Sequence, residues 1–403
     1  MTWKNAADEF STDLDKRDKK IHMLPPGLQG LSPRYIVPLA VAIGPYHHRL
    51  NHLQQMEKVK QVVAYHFIKD SGHSSKEMYE AVLSITGDAR NLYTDEAMMG
   101  IDTNDFAIMM FRDGCFLLQY MLTCTTQHDF SSSLLSCFQS YQACISNDIM
   151  LLENQLPWLV LETLRRFRPV LVEEFVAKMG RTLQARADVE REPFSLDGSY
   201  TYTPPHLLGL LRFYKTGGII CGGATSAMSK TISAIELKEI GIKLTPSTTT
   251  KFVDMGIKKG LFSANFFLAP LLLDEIRSCW LVNMAAFELC MLTDTEICSY
   301  LAVLAMLMDR EEDVHELRSK RLVQGELTNK ETLAFFKMLI KRISGGPLYI
   351  QILKQIEDYK QKRSVWIKVH GFVYKNFKAI ITVFSIIGIL VGIFRTLLYL
   401  KQH

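Results

Sequence analysis

The sequence predicts a mainly α fold: a multi-helix globular body, a small β element around residues 242–269 and a C-terminal transmembrane helix. Three observations carry this expectation. Apolar residues recur at helical spacing through most of the chain. β-branched and aromatic residues separated by turn residues cluster between Ile242 and Ala269. Ala379–Phe394 is a sixteen-residue run without a charge.

Taken in order, residues 1–20 hold ten charged side chains and no apolar run of seven, so they read as a charged arm and not as a secretory signal. Residues 21–50 carry Pro25, Pro26, Pro33, Pro38 and Pro45; proline fixes φ and lacks a donor, so this stretch is expected to be extended. Helices are expected from Leu53 to Lys69 and over Ser75–Tyr93. In the second, Met78, Val82, Ile85, Ala89 and Leu92 share a face. Thr103–Thr126 and Leu134–Ile145 are further apolar helices. Asn147 or Asp148 is expected to cap the next helix, which reaches Leu164 and is kinked at Pro157.

The chain then becomes polar at 186–204 and rich in Gly, Ser and Thr at 216–230. Residues 186–230 therefore read largely as a variable surface loop, bordered by short helices near 205–214 and 231–240. Short strands are expected at Ile242–Thr245, Thr250–Ile257 and Gly260–Ala269. Helices follow at about 271–292, 294–308, 329–343 and 347–361. The expected organisation is an arm (1–20), a helical domain (21–361) containing the loop 186–230, a basic juxtamembrane segment (362–378) and a transmembrane helix (379–400).

The 403 residues are 48% hydrophobic and 22% charged, which excludes wholesale disorder and a fibrous repeat. Net charge is +4, yet residues 362–403 hold seven Lys/Arg and no acid. The remainder, with 39 basic and 42 acidic side chains, is slightly acidic, which argues against a nucleic-acid surface. The eight cysteines form no Cys-x-x-Cys pair and fall mostly in apolar runs, so free core thiols are expected.

The uncharged run Ala379–Phe394 spans only about 24 Å, whereas extension to Leu400 reaches about 33 Å and takes in Arg395. Lys362, Arg363, Lys368, Lys375 and Lys378 precede it, with Trp366, Phe372, Tyr374 and Tyr399 as interfacial anchors. This pattern predicts a single-pass protein with a cytosolic body; plasma membrane and endoplasmic reticulum both stay open. Gly388 and Gly392 form a Gly-x-x-x-Gly, the spacing that lets two helices approach closely, so self-association is a further expectation.

Candidate chemistry is sparse. His48 and His52 are spaced to share a helix face beside His47, but the glutamate of a His-Glu-x-x-His zinc site is absent, so no metal is expected. Gly217 and Gly222 have P-loop spacing, yet Gly223-Ala224 stand where Lys-Ser/Thr is required. Asp148, Glu153, Asn154 and Gln155 lie among leucines before Pro157. The bland reading is that they satisfy backbone groups freed at a kink; the alternatives are a partner site and, last, catalysis.

Ile43–His48 (IGPYHH), followed by Met56-Glu57 and Lys60, resembles a plant family known only as domain of unknown function 247. The resemblance is strongest at Asn147-Asp148 through Leu164, where LLENQLPWLVLETL carries the Leu-Glu-Asn-Gln-aliphatic-Pro hallmark. It continues at Asp113, at His206-Leu207-Leu208, over Ala234–Lys243 and Asn283–Glu288, and at Asp313-Val314 with Leu317. The stretch Arg321–Gly325 departs from the family pattern. The hallmark positions are Gly44, Pro45, Tyr46, His47, Asp148, Glu153, Asn154, Gln155 and Pro157. The resemblance implies a helical body with a membrane anchor and supplies no enzyme activity, cofactor or catalytic residue. Some relatives are linked to pollen self-recognition in grasses.

The leading expectation is thus a membrane-anchored recognition or signalling module, not an enzyme. Its expected partners are the lipid bilayer, an unidentified protein and a second copy, with no nucleic acid. The rival is an enzyme whose site is built from Asp113, Asp148, Glu153 and the His47/His48 pair. Convergence of those groups in one solvent-reachable pocket separates the two.

Overall fold

Five prolines between Pro25 and Pro45 keep the first segment out of continuous helix. It makes only single 3-10 turns, at Pro26–Leu28, Pro33–Tyr35 and Asn51–Leu53. The computed structural model describes residues 17, 19–125, 131–184, 194, 196, 202–218, 232–260, 263–291, 295–362 and 376–402. Most of the expected arm 1–20, of the loop 186–230 and of the basic segment 362–378 lies outside the described residues.

The first group of helices is α1 (Gln54–Ser71), α2 (Ser75–Ser84), α3 (Thr86–Arg90), α4 (Asp95–Met98), α5 (Thr103–Thr125), α6 (Ser132–Asp148), α7 (Trp158–Arg165) and α8 (Val172–Thr182). Their centre is α5, which is apolar nearly all round and buries an unbroken stretch from Asp113 to Leu122. Helices α1, α2, α3, α7 and α8 pack against it. α6 joins through Phe138, whose ring meets Phe116 and Tyr120 edge-on. α7 packs tightly over Gly114: a Cβ there would meet Leu164 Cδ1 at 2.5 Å.

The second group is α9 (Leu207–Thr216), α10 (Ala234–Glu239), α11 (Glu275–Cys290), α12 (Glu296–Leu307), α13 (Glu311–Ser319), α14 (Asn329–Ile340) and α15 (Pro347–Lys362). Its centre is α12, buried along almost its whole length and packed against α9, α11, α14 and α15. α11 joins the groups by touching both α6 and α9. Local signals start several helices. Ser74 caps α2 by accepting the Glu77 amide, and Ser233–Glu236 and Thr328–Glu331 form capping boxes at α10 and α14.

The β element is real but small. β1 (Ile242–Pro246) pairs in parallel with β3 (Ala264–Leu268), which pairs antiparallel with β2 (Gly256–Lys259). Ile242 and Leu244 point inward beside buried Ala264 and Phe266, while Lys243 and Asn265 face out, as a period of two requires. A second, two-residue parallel ladder joins β4 (Leu271–Leu272) to β5 (Val323–Gln324).

Several expectations need correction. The helix expected over Ser75–Tyr93 breaks at Ile85 (φ −105°, ψ 2°). The kinked helix expected from 147 to 164 is instead the end of α6, a loop over 149–157, and α7 beginning after Pro157. The strand expected from Thr250 starts only at Gly256. The short helix expected near 205–214 forms as α9, but as a core element rather than the border of a surface loop, since every one of its residues is buried.

The C-terminal span is also overturned. Among the described residues no helix is long and apolar enough to cross a membrane. A helix, α16, does form over Phe377–Gln402, with Ile381–Phe394 exposed. Its uncharged run is bounded by Lys378 and Arg395, and sixteen residues rise about 24 Å against a hydrocarbon core of roughly 30 Å. The transmembrane segment 379–400 and the single-pass localisation built on it therefore fall.

Candidate functional site

The hallmark residues converge, but on the backbone of the N-terminal segment. α6 ends at Asp148, where its carboxylate is fully buried. One oxygen accepts the Leu39 amide at 2.8 Å, and the other accepts Ala40 and Val41 at 2.7 and 2.9 Å. Burial raises the Asp148 carboxyl above its ordinary range, opposed by the pull of those amides. Asn154 continues the pattern. Its Oδ1 accepts the Ile43 amide at 2.7 Å, and its Nδ2 donates to the Val41 and Asp148 carbonyls. Glu153 accepts the Leu24 amide at 2.8 Å and lies 3.4 Å from His47 Nε2.

Gln155 secures the loop itself. Its Nε2 donates to the Ile149 and Leu151 carbonyls at 2.8 Å, and its Oε1 accepts the Leu208 amide at the start of α9. Pro157 is the N-cap of α7, with φ −57° and ψ 136°. Its missing N–H is harmless there, because the first amides of a helix have no partner within it.

A second anchor lies on α5. Asp113 accepts the Gly44 amide at 2.9 Å and pairs with the Lys60 ammonium at 2.6 Å. Lys60 is 1% exposed; its ammonium also donates to the Ala42 carbonyl at 2.8 Å and lies 2.5 Å from the Glu57 carboxylate. Two hydrogen bonds and two carboxylates thus compensate the ammonium, as a buried charge requires. Gly44 has φ +77°, and a Cβ on it would lie 2.9 Å from the Tyr93 hydroxyl and 3.0 Å from the Gln155 carbonyl. Only glycine fits this close passage.

The three histidines do not share a helix face, because α1 begins after them, at Gln54. His48 Nδ1 lies 2.6 Å from the Pro45 carbonyl and His52 Nε2 lies 3.0 Å from that of Pro38. Asp113, Asp148, Glu153, His47 and His48 therefore line one length of chain without meeting in one pocket. No group of three or more metal-ligating side chains occurs among the described residues. Gly388 and Gly392 lie on α16, where a Cβ on either would meet nothing within 4 Å. The described cysteines are all unpaired.

Sequence reading missed a buried ionic group. Arg212 of α9 reaches Glu288 of α11 at 2.8 Å and Glu296 of α12 at 2.5 Å. Glu288 also accepts the Ile297 and Cys298 amides, and burial raises its carboxyl. The signal was present: Arg212 and Lys215 interrupt an apolar run, LLGLLRFYKT.

What the anchored segment presents outward is a groove of about 260 Å³, lined by Pro45, Tyr46, His48 and Arg49 together with Met23 and Met99. The floor is held from below and from the side. The Tyr46 hydroxyl donates to the Ile21 carbonyl at 2.9 Å, and Arg49 donates to the Met99 and Gly100 carbonyls at 3.1 Å. Met23 and Met99 are 49% and 71% exposed.

An Arabidopsis thaliana protein named as a UPF0481 protein is 26% identical to this chain over 426 residues, covering 94% of this chain and 84% of the relative. No solved structure matches. The family described as plant protein of unknown function, DUF247, matches residues 21–391, a range that opens at the first buried residue of the anchored segment, Ile21, and includes every anchor of that segment; the chain belongs to DUF247.

Proposed function

We propose that this chain is a protein-recognition module, and that the groove lined by Met23 and Met99 receives an apolar side chain of a protein partner. The observation supporting it is the pairing of two exposed methionines with a floor tied down by the hydrogen bonds of Tyr46 and Arg49. Methionine is flexible and polarizable, so it adapts to apolar partners, while a rigid floor limits the ordering cost of binding. The enzyme reading draws less support, since Asp148, Glu153 and Asp113 are each engaged with backbone amides.

The test is site-specific photo-crosslinking in plant-cell extract, with p-benzoylphenylalanine in place of Met99 in the full chain. A discrete adduct is expected, and Met23→Asp added to the same chain should abolish it with an unchanged melting temperature. An adduct that persists undiminished in the Met23→Asp chain would remove this groove as the recognition site.

A further inference from the structure

The chain holds 18 methionines. Among the described residues all but two of them are buried or half-buried; only Met23 and Met99 open to solvent. Both line the same groove, Met23 from the proline-rich segment and Met99 from the residue after α4. Met98, the neighbour of Met99 in the chain, is 7% exposed and packs into the core. The backbone at both exposed positions is tied down. The Met23 carbonyl accepts the Cys290 thiol at 3.8 Å, the following amide is held by Glu153, and the Met99 carbonyl accepts Arg49. Two exposed thioethers thus stand on a fixed frame, where a change at sulfur alters the groove and leaves the core alone.

A thioether is oxidised only by a reagent that reaches its sulfur, so burial protects and exposure selects. With hydrogen peroxide, a sulfur lone pair attacks one peroxide oxygen. An S–O bond forms and the O–O bond breaks; the proton on the transferred oxygen passes to the departing one, which leaves as water. Sulfur is oxidised by two electrons and the peroxide is reduced. The sulfoxide is polar and chiral where the thioether was apolar and adaptable. An apolar side chain entering the groove then strips water from the sulfoxide oxygens and offers them no donor in return.

We propose that Met23 and Met99 form a peroxide-sensitive modification site, and that their conversion to sulfoxides switches recognition at this groove off. The switch rests on the groove being a recognition site; the selective oxidation does not.

The test treats the full chain with hydrogen peroxide, quenches with catalase and follows each methionine by peptide mass spectrometry. Met23 and Met99 are expected to convert at least about tenfold faster than Met98, with an unchanged melting temperature. Conversion of Met98 at the same rate would overturn the modification site, whatever the partner. For the switch, p-benzoylphenylalanine replaces Glu96, which is exposed and lines the groove, so that both methionines stay in place. Its adduct in plant-cell extract should fall to about a tenth or less after peroxide and return after methionine sulfoxide reductases A and B, one for each epimer. In the Met23→Leu/Met99→Leu chain, peroxide should not change the adduct yield. An undiminished adduct from the oxidised parent would overturn the switch, as would a loss that the reductases leave in place after removing the sulfoxides. No adduct even before peroxide would overturn the recognition reading and the switch with it, while the oxidation rates still decide the modification site.

Discussion

The Asp148 carboxylate accepts the Ala40 amide at 2.7 Å, joining positions 108 residues apart. The same oxygen accepts Val41. A helix end thus holds an extended segment that has no sheet neighbour to take up its amides. Asp148→Ala should leave the two buried amides unpaired and lower stability by roughly 2–5 kcal/mol in urea unfolding, at about 1–3 kcal/mol per orphaned group. A loss under about 1 kcal/mol would mean that water replaces the carboxylate.

Lys60 and Asp113 form the second anchor, and both are buried. Lys60→Met leaves the Asp113 carboxylate buried without its cation, at a cost of about 3–5 kcal/mol; Asp113→Leu should cost less, because Glu57 still pairs with Lys60. The double variant should cost less than the two singles together, by more than about 1 kcal/mol, because it removes both charges. Strict additivity in the double-mutant cycle would show that the pair is not coupled.

His206 caps α9 by accepting the Gly209 amide on Nδ1 at 3.1 Å, so its proton sits on Nε2. It is fully buried, and desolvation, with a smaller contribution from His22, lowers its pKa to about 3. Between pH 6.5 and 3 the unfolded chain binds the proton and the folded one does not. Stability therefore falls as pH drops through this window. His206→Asn keeps a side-chain acceptor for the cap, so stability measured from pH 7 to 4 should decline less steeply than in the parent. Parallel declines would assign the acid sensitivity elsewhere.

Lys215 is buried at the end of α9, with its ammonium nitrogen 4.1 Å from the Phe252 ring centre and 3.5 Å from the Gly180 carbonyl. Burial, reinforced by nearby Lys251, depresses its pKa well below the usual lysine range. Unfolding takes up a proton between that depressed value and the ordinary lysine value of about 10.4, so stability should rise with pH across this window. Lys215→Met should raise the urea midpoint at pH 7, with the gap to the parent narrowing toward pH 10. A gap that stays constant with pH would show that Lys215 is charged in the folded protein.

Much of the architecture was legible wherever the cause is local. The apolar stripes of 103–125, 329–340 and 347–362 each depend on residues a few positions apart, and so do the caps at Ser74, Ser233 and Thr328 and the alternation of Ile242–Leu244, which went unread. The amphipathic pattern of α8, with Val172, Phe175, Val176 and Met179 on its buried side, was equally present but went unread. The block Asp148–Pro157 was recognisable as a unit, and so was its task of satisfying backbone groups.

Which backbone groups it satisfies was a matter of tertiary structure alone. Pro157 is compatible with a kinked helix or with a new helix start, and local propensity does not choose between them. The choice falls to a fresh start because Asp148, Glu153 and Asn154 bind amides of residues 24–43, more than 100 positions away in the chain. The same holds for the burial of Arg212, whose charge is acceptable in the core only because Glu288 and Glu296 come from two other helices. Composition and periodicity determined that this chain folds into helices around an apolar core. Long-range pairing decided where those helices stop, because a buried polar group takes its partner from whatever the fold brings within about 3 Å.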